Sequence, residues 1–78
     1  MERYPQAAES VRVERKDLTK TILDEIDRIN GELGDAGRVL VRASGTEPVV
    51  RVLAEAPAQA KADTLCASIA ALVARELG

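Results

Sequence analysis

An α+β two-layer sandwich of order β-α-β-β-α, with two helices on one face of a small, mostly antiparallel sheet, is the fold this sequence predicts. Two stretches carry apolar residues at helical spacing. Three short runs are rich in valine, and the last two are separated by a turn too brief for anything but antiparallel pairing.

Residues 1–8 are polar, carry Pro5 and show no period, so they read as an arriving segment ahead of a domain over 9–78. Ser10-Val11-Arg12-Val13-Glu14 then alternates, placing Val11 and Val13 on one face of a short strand and Arg12 on the other. Asp17 is the expected N-cap of the first helix. Behind it Leu18, Ile22, Ile26, Ile29 and Leu33 form the buried stripe, while Asp24, Glu25, Asp27 and Arg28 face water. Gly31 and Gly34 mark the end of that helix, with Gly34 the better C-terminal cap, and Gly34-Asp35-Ala36-Gly37 forms a turn. Residues 38–42 and 49–55 are the second and third strands. After Pro57, Ala62, Leu65, Ile69, Leu72, Val73 and Leu77 give the stripe of a second helix.

Composition excludes several classes of function. A chain of 78 residues holds one domain, and with Tyr4 its only aromatic the core must be built from Val, Leu, Ile and Ala. The single cysteine, Cys66, forms no internal disulfide, which favours a reducing, cytoplasmic setting, and its place in the second stripe makes it a packed, inert thiol. Histidine is absent, so neither a His base nor a Cys/His metal constellation is available. A net charge of −2 without a basic block, and the lack of aromatic platforms, argue against nucleic acid. No apolar run is long enough for a membrane span.

The chemistry concentrates in Arg42-Ala43-Ser44-Gly45-Thr46-Glu47-Pro48. Arg42 supplies a permanent charge on a planar fork that matches two phosphate oxygens. Ser44 and Thr46 add hydroxyl donors, and Gly45 is expected to take a positive φ that turns successive N–H groups into one concavity. Residue types alone leave open whether this is an anion site or an ordinary turn beside a solvated arginine. Two further roles also stay open: Arg51 faces either the same site or plain solvent, and Glu47 orients a guanidinium, pairs with Arg51 or caps the turn.

The flanks supply context. Tyr4-Pro5-Gln6 and Val11-Arg12-Val13, then Gly37 to Arg42 and Ser44 to Val52, resemble the C-terminal domain of the α-D-phosphohexomutases over nearly the whole chain, and the Ser-Gly-Thr-Glu-Pro core is most similar to the phosphoglucosamine mutase branch. Ala43 stands where that branch usually has proline, and Glu9-Ser10 replaces a more usual asparagine-containing start; neither removes a phosphate donor.

The resemblance implies a full-length enzyme of four domains that interconverts glucosamine 6-phosphate and glucosamine 1-phosphate. A phosphoserine held with Mg²⁺ on an earlier domain exchanges its phosphoryl group with the sugar through a bisphosphorylated intermediate. It further implies that the last domain does no bond-making, carries no cofactor, and grips the phosphate that is not transferred. By position Arg42, Ser44, Gly45 and Thr46 correspond to that grip, with Arg51 and an orienting Glu47 as additional members. The expected partners are the phosphosugar and the other domains of the same enzyme. Ser10, Ser44 and Ser68 do not lie beside an acidic triad that could hold a metal, as a phosphoserine of this kind requires, so the chain reads as a fragment that is silent by itself. The alternatives are the corresponding domain of a phosphoglucomutase or phosphomannomutase, or a free-standing interaction module on the same architecture.

Overall fold

Three antiparallel strands in the order β1-β3-β2 form the sheet, and both helices cover one of its faces in a computed structural model that describes residues 4–15 and 17–78. The elements are β1 (Gln6–Arg12), α1 (Lys20–Leu33), a single 3₁₀ turn (Gly34–Ala36), β2 (Arg38–Ala43), β3 (Val49–Glu55) and α2 (Gln59–Leu77). This is the predicted β-α-β-β-α sandwich. Helix α1 packs on β2, α2 lies across β1 and β3, and the two helices touch.

Strand β1 starts earlier than the alternation indicated. Gln6, Ala7 and Ala8, expected in the arriving segment, pair with Glu55, Ala54 and Leu53 of the central strand. The segment Gln-Ala-Ala-Glu has no intrinsic strand preference; the exposed backbone edge of β3 imposes it. The first three residues of the expected arriving segment lie outside the described residues. At the other end β1 stops at Arg12, although Val13 is buried and donates its N–H to the Pro48 carbonyl at 2.8 Å.

Helix α1 is capped by Thr19 in place of Asp17. The Thr19 hydroxyl accepts from the Ile22 N–H at 3.3 Å and donates to Glu76 Oε1 at 3.0 Å, so one side chain both starts α1 and ties it to the end of α2. Leu18 therefore precedes the helix while still packing against the core. Ile22, Ile29 and Leu33 are buried and Ile26 is half-buried, as the stripe requires. Arg28 bridges Glu25 at 2.7 Å and Glu32 at 3.1 Å on the outer face, and its hydrogen bond holds the Glu25 carboxyl below its ordinary range. Gly31 does not end the helix. Gly34 does, at φ 57°, donating its N–H to the Asn30 carbonyl.

The same Asn30 protects an edge of the sheet. Its amide accepts from the Val39 N–H at 2.7 Å and donates to the Val39 carbonyl at 3.1 Å, occupying the backbone groups that β2 turns away from β3. Val39 is fully buried, so losing both bonds strands its peptide groups away from water. Asn30→Ala is expected to lower unfolding free energy by about 2 kcal/mol. Urea denaturation measures this, and an unchanged midpoint would show that solvent replaces the amide.

Ile22, Ile69, Leu77, Val39, Val50, Val52 and Val73 form the fully buried centre, an aliphatic interior with Tyr4 left exposed. Cys66 is buried with its sulfur 3.9 Å from the Val52 carbonyl, and burial pushes its thiol up, Glu9 and Asp63 adding to the effect. The last carbonyls of α2 are met by the chain leading into α1. Leu77 accepts from the N–H groups of Glu14 and Arg15, and Arg15 donates to the Glu76 carbonyl.

Candidate anion-binding site

Because strand residues alternate, burying Val39, Val50, Val52 and Ala54 under the helices turns Leu40, Arg42, Arg51 and Leu53 to the uncovered face. The register then sets Arg42 directly opposite Arg51, and places Leu53 of the central strand between Leu40 on one side and Ala8 on the other. Both arginines are exposed. No hydrogen bond or ion pair joins either to a carboxylate among the described residues, whereas Arg38, at the far end of the same face, reaches Glu55 at 3.4 Å. Like charges facing each other across a strand pair repel.

The β2–β3 loop is held by its first residue. Ser44 donates its N–H to the Val49 carbonyl at 2.9 Å, closing the hairpin, and its hydroxyl accepts from the N–H groups of Thr46 at 3.4 Å and Glu47 at 3.2 Å. Beyond Pro48, the Val49 N–H returns to the Glu47 carbonyl at 2.8 Å. Two amides thus converge on one oxygen.

Arg42, Ala43, Ser44, Gly45, Glu47 and Arg51 line an open depression of about 320 Å³. A second depression of about 420 Å³ lies beside it, over Ala8, Leu40 and Leu53, and the two share Arg42 and Arg51. Five of the six sequence-predicted residues therefore border one concavity. Thr46 is exposed on the loop but does not line it.

Two local expectations change. Gly45 does not adopt a positive φ; among the described residues Gly34 and Gly37 do. A Cβ at Gly45 would meet nothing within 4 Å, so what glycine contributes is an unobstructed floor, and the Ser44 hydroxyl gathers the amides instead. The Glu47 carboxylate makes neither an ion pair with Arg51 nor a cap on the turn. The converging N–H groups expected from a positive φ at Gly45 are the Thr46 and Glu47 amides drawn to the Ser44 hydroxyl, for which the serine two and three residues earlier was the available signal.

Residues 7–72 match the family described as phosphoglucomutase/phosphomannomutase, C-terminal domain. The chain belongs to that family. Among relatives, the phosphoglucosamine mutase of Bifidobacterium longum (strain DJO10A) is 57% identical over 58 residues, covering 74% of this chain and 13% of the relative. That of Symbiobacterium thermophilum is 46% identical over 80 residues, 99% of this chain and 18% of the relative. The Aspergillus fumigatus N-acetylphosphoglucosamine mutase in complex with GlcNAc-6P and magnesium superposes with a TM-score of 0.79 at 28% identity, over 92% of this chain and 16% of that one. An N-acetylglucosamine-phosphate mutase of the α-D-phosphohexomutase superfamily, in its product complex, gives 0.74 at 34% identity over 90% and 15%. This domain thus spans less than a fifth of the relatives it matches.

One solved relative carries magnesium. Among the described residues of this domain, no three His, Cys, Asp or Glu side chains come together.

Proposed function

We propose that this domain is the substrate-phosphate clamp of a phosphoglucosamine mutase, an enzyme that interconverts glucosamine 6-phosphate and glucosamine 1-phosphate. The observation that carries the reading is the pairing of Arg42 with Arg51 beside the Ser44–Glu47 loop, with no carboxylate hydrogen-bonded or ion-paired to either guanidinium among the described residues.

In this reading Arg42 engages two phosphate oxygens with its fork and Arg51 adds charge from the neighbouring strand. Ser44 gathers the amides of Thr46 and Glu47, Gly45 leaves room for the phosphoryl group, and the Thr46 hydroxyl closes over it. Glu47 stands at the rim, where its carboxylate orients a guanidinium when the site fills. The phosphate held here is the one that stays on the sugar. Bond-making takes place at a phosphoserine with Mg²⁺ in another domain of the full-length enzyme, so the isolated domain is catalytically silent. Its contribution is to fix the substrate and stabilise charge, a large part of what phosphoryl transfer requires of a protein. Its partners are the phosphosugar and the remaining domains, and the setting is the cytoplasm. No described helix is long and apolar enough to cross a membrane.

Titrating inorganic phosphate into the ¹⁵N-labelled domain at constant ionic strength tests the clamp. The amide signals of Ser44 through Glu47 are expected to move most and to saturate. Shifts spread evenly over the surface, or none at high millimolar phosphate, would reject the site.

A further inference from the structure

The open face of the sheet holds another arginine at the loop end, outside the residues so far assigned to the clamp. Arg12 is the last residue of β1 and lies opposite Val49, while Ser10 lies opposite Arg51, so Arg12 and Arg51 are diagonal neighbours on one face. Such diagonals are about 7–8 Å apart, within reach of long side chains. The next residue, Val13, is hydrogen-bonded to the Pro48 carbonyl, which fixes the end of β1 against the exit of the loop. Arg12, Arg51 and Arg42 thus rise in sequence across β1, β3 and β2 around the loop-side end of the sheet.

We infer that Arg12 is a third guanidinium of the phosphate clamp, reaching from β1 to an oxygen of the dianionic phosphoryl group held by Arg42 and the loop. The inference rests on the clamp reading above and extends it to a strand that reading does not use.

Charge distribution on the face supports it. At the far end Arg38 is matched by Glu55, an ordinary surface ion pair. At the loop end three exposed arginines have no hydrogen-bonded or ion-paired carboxylate among the described residues. Arg12 stands on an edge strand, lines neither depression beside the loop, and borders the groove toward Ala70 and Ala74 of α2, from which its long side chain would have to swing to reach the phosphate. Glu9 is the one carboxylate lining that groove, and no ion pair joins it to Arg12. A solvated arginine that merely discourages edge pairing would meet the same description on β1 alone. It would not need to share a face with two more unpaired guanidiniums beside a loop that gathers amides. Three cations crowded together repel, and a dianion between them removes the repulsion.

The test compares phosphate dissociation constants of the full chain, its Arg12→Gln and Arg12→Lys variants, and Arg38→Gln as a control with the same charge change. Arg12→Gln is expected to weaken phosphate about three- to tenfold, the effect of one exposed charge-assisted contact. It should also flatten the salt dependence of binding, while the thermal midpoint stays where it was. Arg12→Lys recovers part of the affinity, and Arg38→Gln changes little. Equal weakening by Arg12→Gln and Arg38→Gln would overturn the inference, because net charge alone would then explain it. Unchanged affinity in Arg12→Gln, with the wild-type chain still binding, would overturn this inference and leave the clamp standing. If the wild-type chain does not respond to phosphate, the clamp and Arg12's place in it fall together.

Discussion

Arg42→Ala is expected to weaken phosphate binding by this domain about 10- to 100-fold, the cost of removing a charged, two-pronged donor from the centre of the site. The fold should not notice. Arg42 is exposed, makes no hydrogen bond or ion pair among the described residues, and faces another arginine, so its removal relieves repulsion in the empty domain. Thermal stability is therefore expected to hold or rise slightly as affinity falls, a combination that a structural role would not produce. Arg42→Lys keeps the charge but loses the planar fork, and should recover only a small part of the affinity. In the full-length phosphoglucosamine mutase proposed above, the same change is expected to raise KM or lower kcat/KM while leaving the proposed serine phosphorylation intact. Wild-type phosphate titration curves for Arg42→Ala would sink the clamp.

How much of this was legible in the sequence depends on the kind of interaction. β2, β3 and α2 follow from local pattern, because Val39, Val50, Val52, Ile69 and Val73 are apolar at the period of the element that buries them. β1 was legible only in its second half, since Gln6 to Glu9 become strand by pairing with β3. Thr19 displaced Asp17 as the cap because its partner Glu76 arrives from the end of the chain, a contact no local window contains. The site shows the same division. Arg42, Ser44 and Gly45 were named from a contiguous motif, whereas the Arg42–Arg51 pairing needed the register. Arg12 needed the strand order as well, since β1 must lie beside β3 for it to reach the loop.

Gly37→Ala should be the most damaging single methyl in the chain. Gly37 precedes β2 at φ 148° and ψ −172°, a region that only glycine populates readily, and an added Cβ would collide with the Glu55 carbonyl oxygen and crowd Ala56 Cα. Neither obstacle is a flexible side chain. Glu55 is the last residue of the central strand and pairs with both Gln6 and Arg38, and Ala56 is fully buried. Relief requires β2 to part from β3 at the end where Arg38 meets Glu55. The expected loss is on the order of 3–5 kcal/mol, which for a domain of this size removes much of its stability. Gly31→Ala is the matched control. It lies exposed inside α1 with nothing within 4 Å of the new methyl, and should stabilise by about 1 kcal/mol through helix propensity. Urea unfolding of the two variants should therefore move in opposite directions from wild type. A Gly37→Ala protein as stable as its parent would mean that β2 can enter the sheet along another path, and Arg42, four residues beyond Arg38 on that strand, would no longer be fixed opposite Arg51.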